Sequence, residues 1–463
     1  MMCSRMFALS SVCFSFALPQ QASSQQTALL SNTTQAGQSV SSSGTEAPTL
    51  ITLQDAIERA RRNYSQYLAT VTDAKFAHED LVQARAALLP SVGYSQQYLG
   101  TQGNGKTPNG RYATNDGVHL YRVWGVLHQD FSPAFFTRST YKRATASEAL
   151  AQAKSEIARR GLTITVTRNY YALIVAQRKY ASAQQAANQA QQFLTNTRNL
   201  ETGGEVAHSD VVKAQLQFDQ QKLVFQEAQL AIDTTHLTLA VLLSPNLDEN
   251  YAAVDDLDHT SVLPPLAEIK DMAAHQNQDV RAALETVRQA EADVKTARGA
   301  FFPSLTVDVD YGIEANALAL HSALAAAKDL GPLPNLGYFV TAALNFPVWN
   351  WGSTRSKFNQ AVYRRQQART DSSQVQREAL SNLYNFYREA ATARSENATL
   401  QEAVGLAAES LRLTNLRYGA GEATALEVVD AQNAAITARN ASDDGQARYR
   451  VALANLETLT GPF

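Results

Sequence analysis

Two hydrophobic periods alternate along the chain, and the alternation occurs twice. Leu53, Ala56, Ile57 and Ala60 stand at i, i+3, i+4 and i+7, one face of a short helix over 53–64. A longer helical stretch, 66–88, stops at Pro90. The period then drops from 3.6 to 2. Val92, Tyr94, Gln96 and Tyr98 alternate with Ser91, Gly93, Ser95 and Gln97, the pattern of a strand with two unlike faces. A Gly/Asn/Pro-rich stretch, 100–117, separates it from a second strand over 118–131. From 138 to 200 there is no proline, and Ala, Gln, Arg and Lys dominate. As a helix that stretch is roughly 90 Å long. Thr202-Gly203-Gly204 turns it, and a second helix, 209–243, returns to Pro245.

The second half runs in the same order. Helices over 266–275 and 278–300 lead to Pro303. Leu305, Val307, Val309, Tyr311 and Ile313 then face one way, and Thr306, Asp308, Asp310 and Gly312 the other. A loop, 315–335, precedes a fourth strand, 336–347, with Tyr338, Val340, Ala342, Leu344 and Phe346 on one side. A helix from 354 to 416 turns at Gly419-Ala420-Gly421 and returns from 424 to 460. Short motifs echo as well. Ala84-Arg85 before Pro90-Ser91 matches Ala297-Arg298 before Pro303-Ser304, and Gly204-Glu205 to Ala214-Gln215 matches Gly421-Glu422 to Ala431-Gln432. The offsets, about 213 and 217 residues, are too long for a solenoid repeat and mean a duplicated domain.

The strands fix the environment. Each is long enough to cross a bilayer when tilted, which takes about 9–11 residues. An apolar row opposite two aspartates suits lipid on one side and a wet lumen on the other. Aromatic residues near strand ends, such as Tyr94, Phe346, Trp349 and Trp351, fit interfacial girdles. Four strands cannot close, and lipid does not tolerate an open edge. Copies of the chain must therefore supply the rest, twelve strands from a trimer or sixteen from a tetramer.

Composition narrows the picture further. Charged residues are 18% of the 463 and the net charge is −3, so no basic field holds nucleic acid. Arg5, an uncharged run to Leu18 and a small residue at Ala22 read as a signal peptide over 1–22. Both cysteines, Cys3 and Cys13, lie inside it. Residues 23–49, mostly Ser, Thr, Gln, Ala and Gly, read as a flexible linker. The repeats then span 50–250 and 251–463. Gly100 to Thr107 formally matches a P-loop, but Pro108-Asn109-Gly110 follows where a phosphate-binding helix is needed, and it reads as an external loop. No His-x-x-x-His, Cys-x-x-Cys or Gly-x-Ser-x-Gly spacing appears, so no metal, cofactor or enzyme activity is expected.

Leu50 with Thr52-Leu53-Gln54-Asp55-Ala56-Ile57, the two Ala-Arg-x-x-x-x-Pro-Ser boxes, the Arg417-Tyr418-Gly419-Ala420-Gly421 turn and the order of elements resemble the TolC-type outer-membrane factor family over about 50–461. The resemblance implies a mixed, mainly α fold: a trimeric twelve-stranded outer-membrane β-barrel continued by a long periplasmic α-helical barrel. It implies an exit duct of a tripartite efflux system, passively exporting small molecules. The implied partners are two further copies, a periplasmic adaptor, an inner-membrane transporter and outer-membrane lipid. Type I protein secretion uses nearly the same duct and stands as the alternative. A non-pore coiled-coil scaffold is the second.

The resemblance also implies sites. The family's acidic gate falls on Glu427 and Asp430, whose i, i+3 spacing puts them on one helical face. Three copies would ring a lumen with negative charge. Tyr418 and Asp210 match members of a tip network, although Ala423 stands where some members carry a linking arginine. The glycine turns at Gly203, Gly204, Gly419 and Gly421 mark the expected adaptor contact.

Overall fold

A computed structural model describes residues 49–100, 119–247, 249–259, 262–315, 317–325 and 332–461. The expected signal peptide, the linker as far as residue 48 and the P-loop-like stretch beyond Gly100 lie outside the described residues.

The first half comprises β1 (Thr49–Ile51), α1 (Leu53–Asn63), α2 (Ser65–Ala86), β2 (Ser91–Gly100), β3 (His119–Phe131), α3 (Pro133–Thr137), α4 (Ser139–Gly203) and α5 (His208–Leu243). The second comprises β4 (Tyr251–Ala253), α6 (Leu266–Gln276), α7 (Gln278–Gly299), β5 (Ser304–Ala315), β6 (His321–Ala325), β7 (Pro332–Pro334), β8 (Leu336–Asn345), α8 (Ser353–Gly419) and α9 (Ala425–Thr460). Among the described residues no helix is long and apolar enough to cross a membrane.

The strands β2, β3, β5 and β8 make one antiparallel sheet in that order. Its register sorts the side chains into two unlike faces. Val92, Leu127, Val309 and Val340 form one row, and Tyr94, Gly125, Tyr311 and Tyr338 the next. This apolar face is bare: Val92 is 81% exposed and Tyr338 79%. The opposite face carries Ser91, His128, Asp308 and Thr341 in a row, with His128 Nδ1 2.6 Å from Asp308 Oδ1. On the same face Arg122 reaches Glu314 at 3.0 Å and Gln97 at 3.3 Å. The outer strands β2 and β8 each have one side that no described strand pairs.

Gly312 lets this sheet close up. It stands opposite Trp124, and a Cβ there would run into the Val123 carbonyl oxygen and lie 2.9 Å from Trp124 Cδ1. The indole covers the space a side chain would take, and it stacks on Phe339 with ring centroids 6.5 Å apart.

The helical part is built from two hairpins. α4, of 65 residues, packs along α5, and α8, of 67 residues, packs along α9. At 1.5 Å per residue the long arms reach about 100 Å. α7 lies against both α4 and α8.

A belt ties the two halves together midway. β1 pairs in parallel with β4, across 202 positions from Thr49 to Tyr251. Beneath this ribbon Tyr170 is 1% exposed, and its hydroxyl donates to the carbonyls of Ile51 (3.1 Å) and Val254 (2.7 Å). Burial pushes that phenol up to about 12. Arg178 of α4 is the belt's charge centre. Its guanidinium holds Asp255 at 2.5 and 2.8 Å, Asp258 at 3.1 Å and Asp443 of α9 at 3.0 Å. Burial pushes the Asp443 carboxyl up, and Arg178 partly offsets that.

Three small elements depart from the pattern-based expectation. The β1–β4 ribbon, the short α3 and the β6–β7 pair were not predicted. α3 ends because Arg138 takes a left-handed backbone, φ 50°, which turns the chain from sheet to long helix. The β6–β7 pair occupies part of the predicted 315–335 loop. Prolines at both ends of β7 and an irregular register explain why alternation does not show it.

Substituting Gly312→Ala is expected to cost about 1–3 kcal/mol by overpacking. Gly337→Ala, where a Cβ meets nothing within 4 Å, serves as the control. Urea unfolding in lipid vesicles checks this; equal stability of the two variants would contradict the close approach.

Candidate periplasmic tip and its relatives

Both hairpins end in glycine turns, and the two turns are built alike. α4 runs out at Gly203, and Gly204 takes φ +77° while its N–H bonds the Glu201 carbonyl at 2.9 Å. α8 runs out at Gly419, and Gly421 takes φ +76° while its N–H bonds the Tyr418 carbonyl at 3.0 Å. A side chain is strained at such a φ, so Gly204 and Gly421 are what allow the arms to reverse.

The two ends share a small core. Phe193 and Leu194 of α4, Val211 and Ala214 of α5, and Ala425 and Val428 of α9 are buried together. Tyr418 packs on this cluster with its ring 5.2 Å from that of Phe193. Its hydroxyl lies 3.2 Å from that of Thr197, so it links the end of α8 to α4. One layer further in, Gln217 and Gln221 donate to Asn433 Oδ1 at 3.0 and 3.3 Å.

The acids at the tip take different roles. Glu427 is the third residue of α9 and closes a capping box with Thr424. The Thr424 N–H and hydroxyl donate to Oε1 of Glu427 at 3.2 and 3.1 Å, and the Glu427 N–H donates back to the Thr424 hydroxyl at 3.3 Å. Arg417 reaches Oε2 at 3.4 Å. The Thr424 donors, then Arg417, hold the Glu427 carboxyl below its usual range. Asp430, one turn on, is exposed and has no ion pair among the described residues. Asp210 is the third residue of α5 and accepts from Lys213 at 3.2 Å. The structure therefore brings Glu427 and Tyr418 to one tip, whereas Asp210 and Tyr418 bond other partners.

Arg417 and Thr424 were not singled out from the sequence as partners of Glu427. The Thr-x-x-Glu spacing at 424–427 was a readable capping signal. Arg417 had no such signal, because only the glycine turn brings it back onto α9. Among the described residues no group of three or more His, Cys, Asp or Glu could hold a metal ion.

Residues 270–462 match the family model described as outer membrane efflux protein. The alkaline protease secretion protein AprF of Pseudomonas aeruginosa is 21% identical over 417 residues, covering 88% of this chain and 84% of that one. The outer membrane protein TolC of Escherichia coli is 21% identical over 415 residues, covering 88% and 82%. The crystal structure of the Campylobacter jejuni CmeC outer membrane channel superposes with a TM-score of 0.76 at 17% identity, covering 88% and 85%. The chain is similar over most of its length to TolC and related outer membrane proteins. These proteins form a family of outer membrane channels rather than of enzymes. The sheet and hairpins described above are thus an outer-membrane-factor fold.

The capping box predicts how the tip responds to acid. The Glu427 carboxyl is more acidic folded than unfolded, so its contribution is complete above its usual value of 4.5 and is lost as pH falls through the lower folded value. Amide exchange over 424–428, corrected for intrinsic rates, is expected to lose protection as pH falls below 4.5. Glu427→Gln should flatten that response. An equally steep pH dependence in the variant would contradict the assignment.

Proposed function

We propose that three copies of the chain join edge to edge and form an outer-membrane exit duct that passively exports small molecules. The observation that carries this reading is the sheet. One face is bare and apolar, the other is charged, and among the described strands β2 and β8 are each unpaired on one side. β8 of one copy and β2 of the next would run antiparallel, and a trimer would close on twelve strands. The long hairpins would continue the barrel into the periplasm. A non-pore scaffold would have no use for a sheet that is bare and apolar on one side. A duct that only passes solutes needs no catalytic residue or cofactor.

Under this reading the two halves, 50–250 and 251–463, descend from one duplicated unit. Glu427 and Asp430 would form the gate ring, with Asp430 the more open of the two because Glu427 also caps α9. The tip turns at Gly203, Gly204, Gly419 and Gly421 would meet a periplasmic adaptor that joins the duct to an inner-membrane transporter. Tyr418 and Asp210 would act in holding the tip closed, Tyr418 through Thr197. Protein secretion is the second reading, favoured by the name of the relative AprF.

The gate assignment predicts that Glu427→Gln with Asp430→Asn lowers the preference for cations over anions in planar-bilayer recordings. Glutamine keeps the capping geometry, so the change would report charge and not a frayed helix. Unchanged ion selectivity in channels of normal conductance would overturn the gate.

A further inference from the structure

The belt borders a half-open cavity of about 900 Å³ between α1, α4, α6 and the last turns of α9. Four arginines line it: Arg61 of α1, Arg159 and Arg160 of α4, and Arg450 of α9. Their ordinary partners do not balance them. Arg159 grips Glu156 with both arms, at 2.6 and 2.5 Å. Arg160 shares that carboxylate at 2.9 Å and spends its other arm on the carbonyls of Thr458 (2.8 Å) and Gln276 (3.2 Å). Two guanidiniums thus rest on one carboxylate. Arg450 donates to the Asp256 carbonyl at 2.8 Å and lies 5.8 Å above the Tyr171 ring. Arg61 is the telling residue. Its Nε is buried and has no hydrogen-bond partner among the described residues. The whole guanidinium makes no hydrogen bond or ion pair among the described residues, and a partly buried charged group left unpaired is costly, so its remaining donors call for a partner from outside.

The acids in the wall do not supply that partner. Glu268 is exposed, and burial pushes the Glu457 carboxyl up with no cation acting on it. The remaining wall is apolar, with Ile57, Leu263, Met272 and Leu453 among its residues. The volume falls within the range of small-molecule pockets, about 300–1,000 Å³.

We propose that this belt cavity binds an amphipathic anion, a ligand with one carboxylate or phosphate head group and an apolar body. The guanidinium fork of Arg61 takes the head group, for which its planar geometry is suited, and the Arg159 Nη1 that Glu156 leaves unengaged adds a second donor. Ile57, Leu263, Met272 and Leu453 cover the body. Because α1 and α4 belong to the first half and α6 and α9 to the second, an occupied cavity also fastens the halves together. The proposal is separate from the duct reading, since every wall of the cavity comes from one chain.

The test uses the full-length protein in lipid nanodiscs and fluorine NMR of small probes. The probes are 4-fluorobenzoate, 4-fluorophenyl phosphate and, as a neutral mimic, 4-fluorobenzyl alcohol. Both anions are expected to bind saturably and to displace each other, and the alcohol is not. Arg61→Gln should weaken both anions by at least roughly tenfold, and Arg61→Lys, which keeps the charge and loses the fork, by less. Should Arg61→Gln fail to fold, Arg159→Gln removes the second cation of the wall and is expected to weaken the same probes. No saturable binding up to about 10 mM would overturn the site. So would equal binding of the alcohol, or arginine variants that bind as the parent does. Inorganic phosphate that displaces the probes with their own affinity would mean a plain anion site, and would overturn the apolar half of the proposal.

Discussion

Unpaired backbone at the two edges of one sheet is the constraint on which the rest depends. β2 and β8 present N–H and C=O groups that no described strand pairs. Beside them lies a face of Val92, Tyr94, Tyr311, Tyr338 and Val340 that no core covers. In water such an edge invites aggregation, and in lipid each unmatched group costs several kcal/mol. Both problems have one solution, which is closure by further copies of the same edges. The proposed closure follows from that need, and the choice of three copies from the family resemblance.

The helices answer a different demand. Arms of about 100 Å have too little surface per residue to stabilise themselves alone, and they hold by lying along one another. The pairs α4–α5 and α8–α9 do this, and the belt and the tip lock them at two points. At the belt, Arg178 fastens α4 to α9 and to residues 255–258. At the tip, Tyr418, Thr197 and the Phe193 cluster fasten the two turns. The belt pin is half-buried and charged, whereas the tip is joined by one hydroxyl contact, two amide hydrogen bonds to Asn433 and a few apolar side chains. The tip thus lacks the charged pin of the belt, which suits the proposed gate.

Much of this was legible in the sequence. Alternation gave β5 its lipid-type row and its Asp308 and Asp310 row, and the glycine turns fell where the helices reverse. Strand alternation survives in sequence because its period is local. The belt was not legible, for the opposite reason. β1 and β4 are three residues each and meet across about 200 positions. The Arg178 cluster joins positions 178, 255, 258 and 443, which no local pattern connects. At the tip, Glu427 was found through the motif, but its cap and its Arg417 partner came from the turn geometry. The arginine surplus around Arg61 was invisible for the same reason, since its walls come from four helices.

Closure between copies can be measured directly by disulfide cross-linking. The only native cysteines, Cys3 and Cys13, lie far from the sheet in sequence, so introduced pairs report alone once these are replaced. Cysteines scanned along β2 against cysteines along β8 should, at one register, give a covalent ladder that ends at three copies. Cross-links within a single chain only, or none at any register in membranes, would contradict edge-to-edge closure.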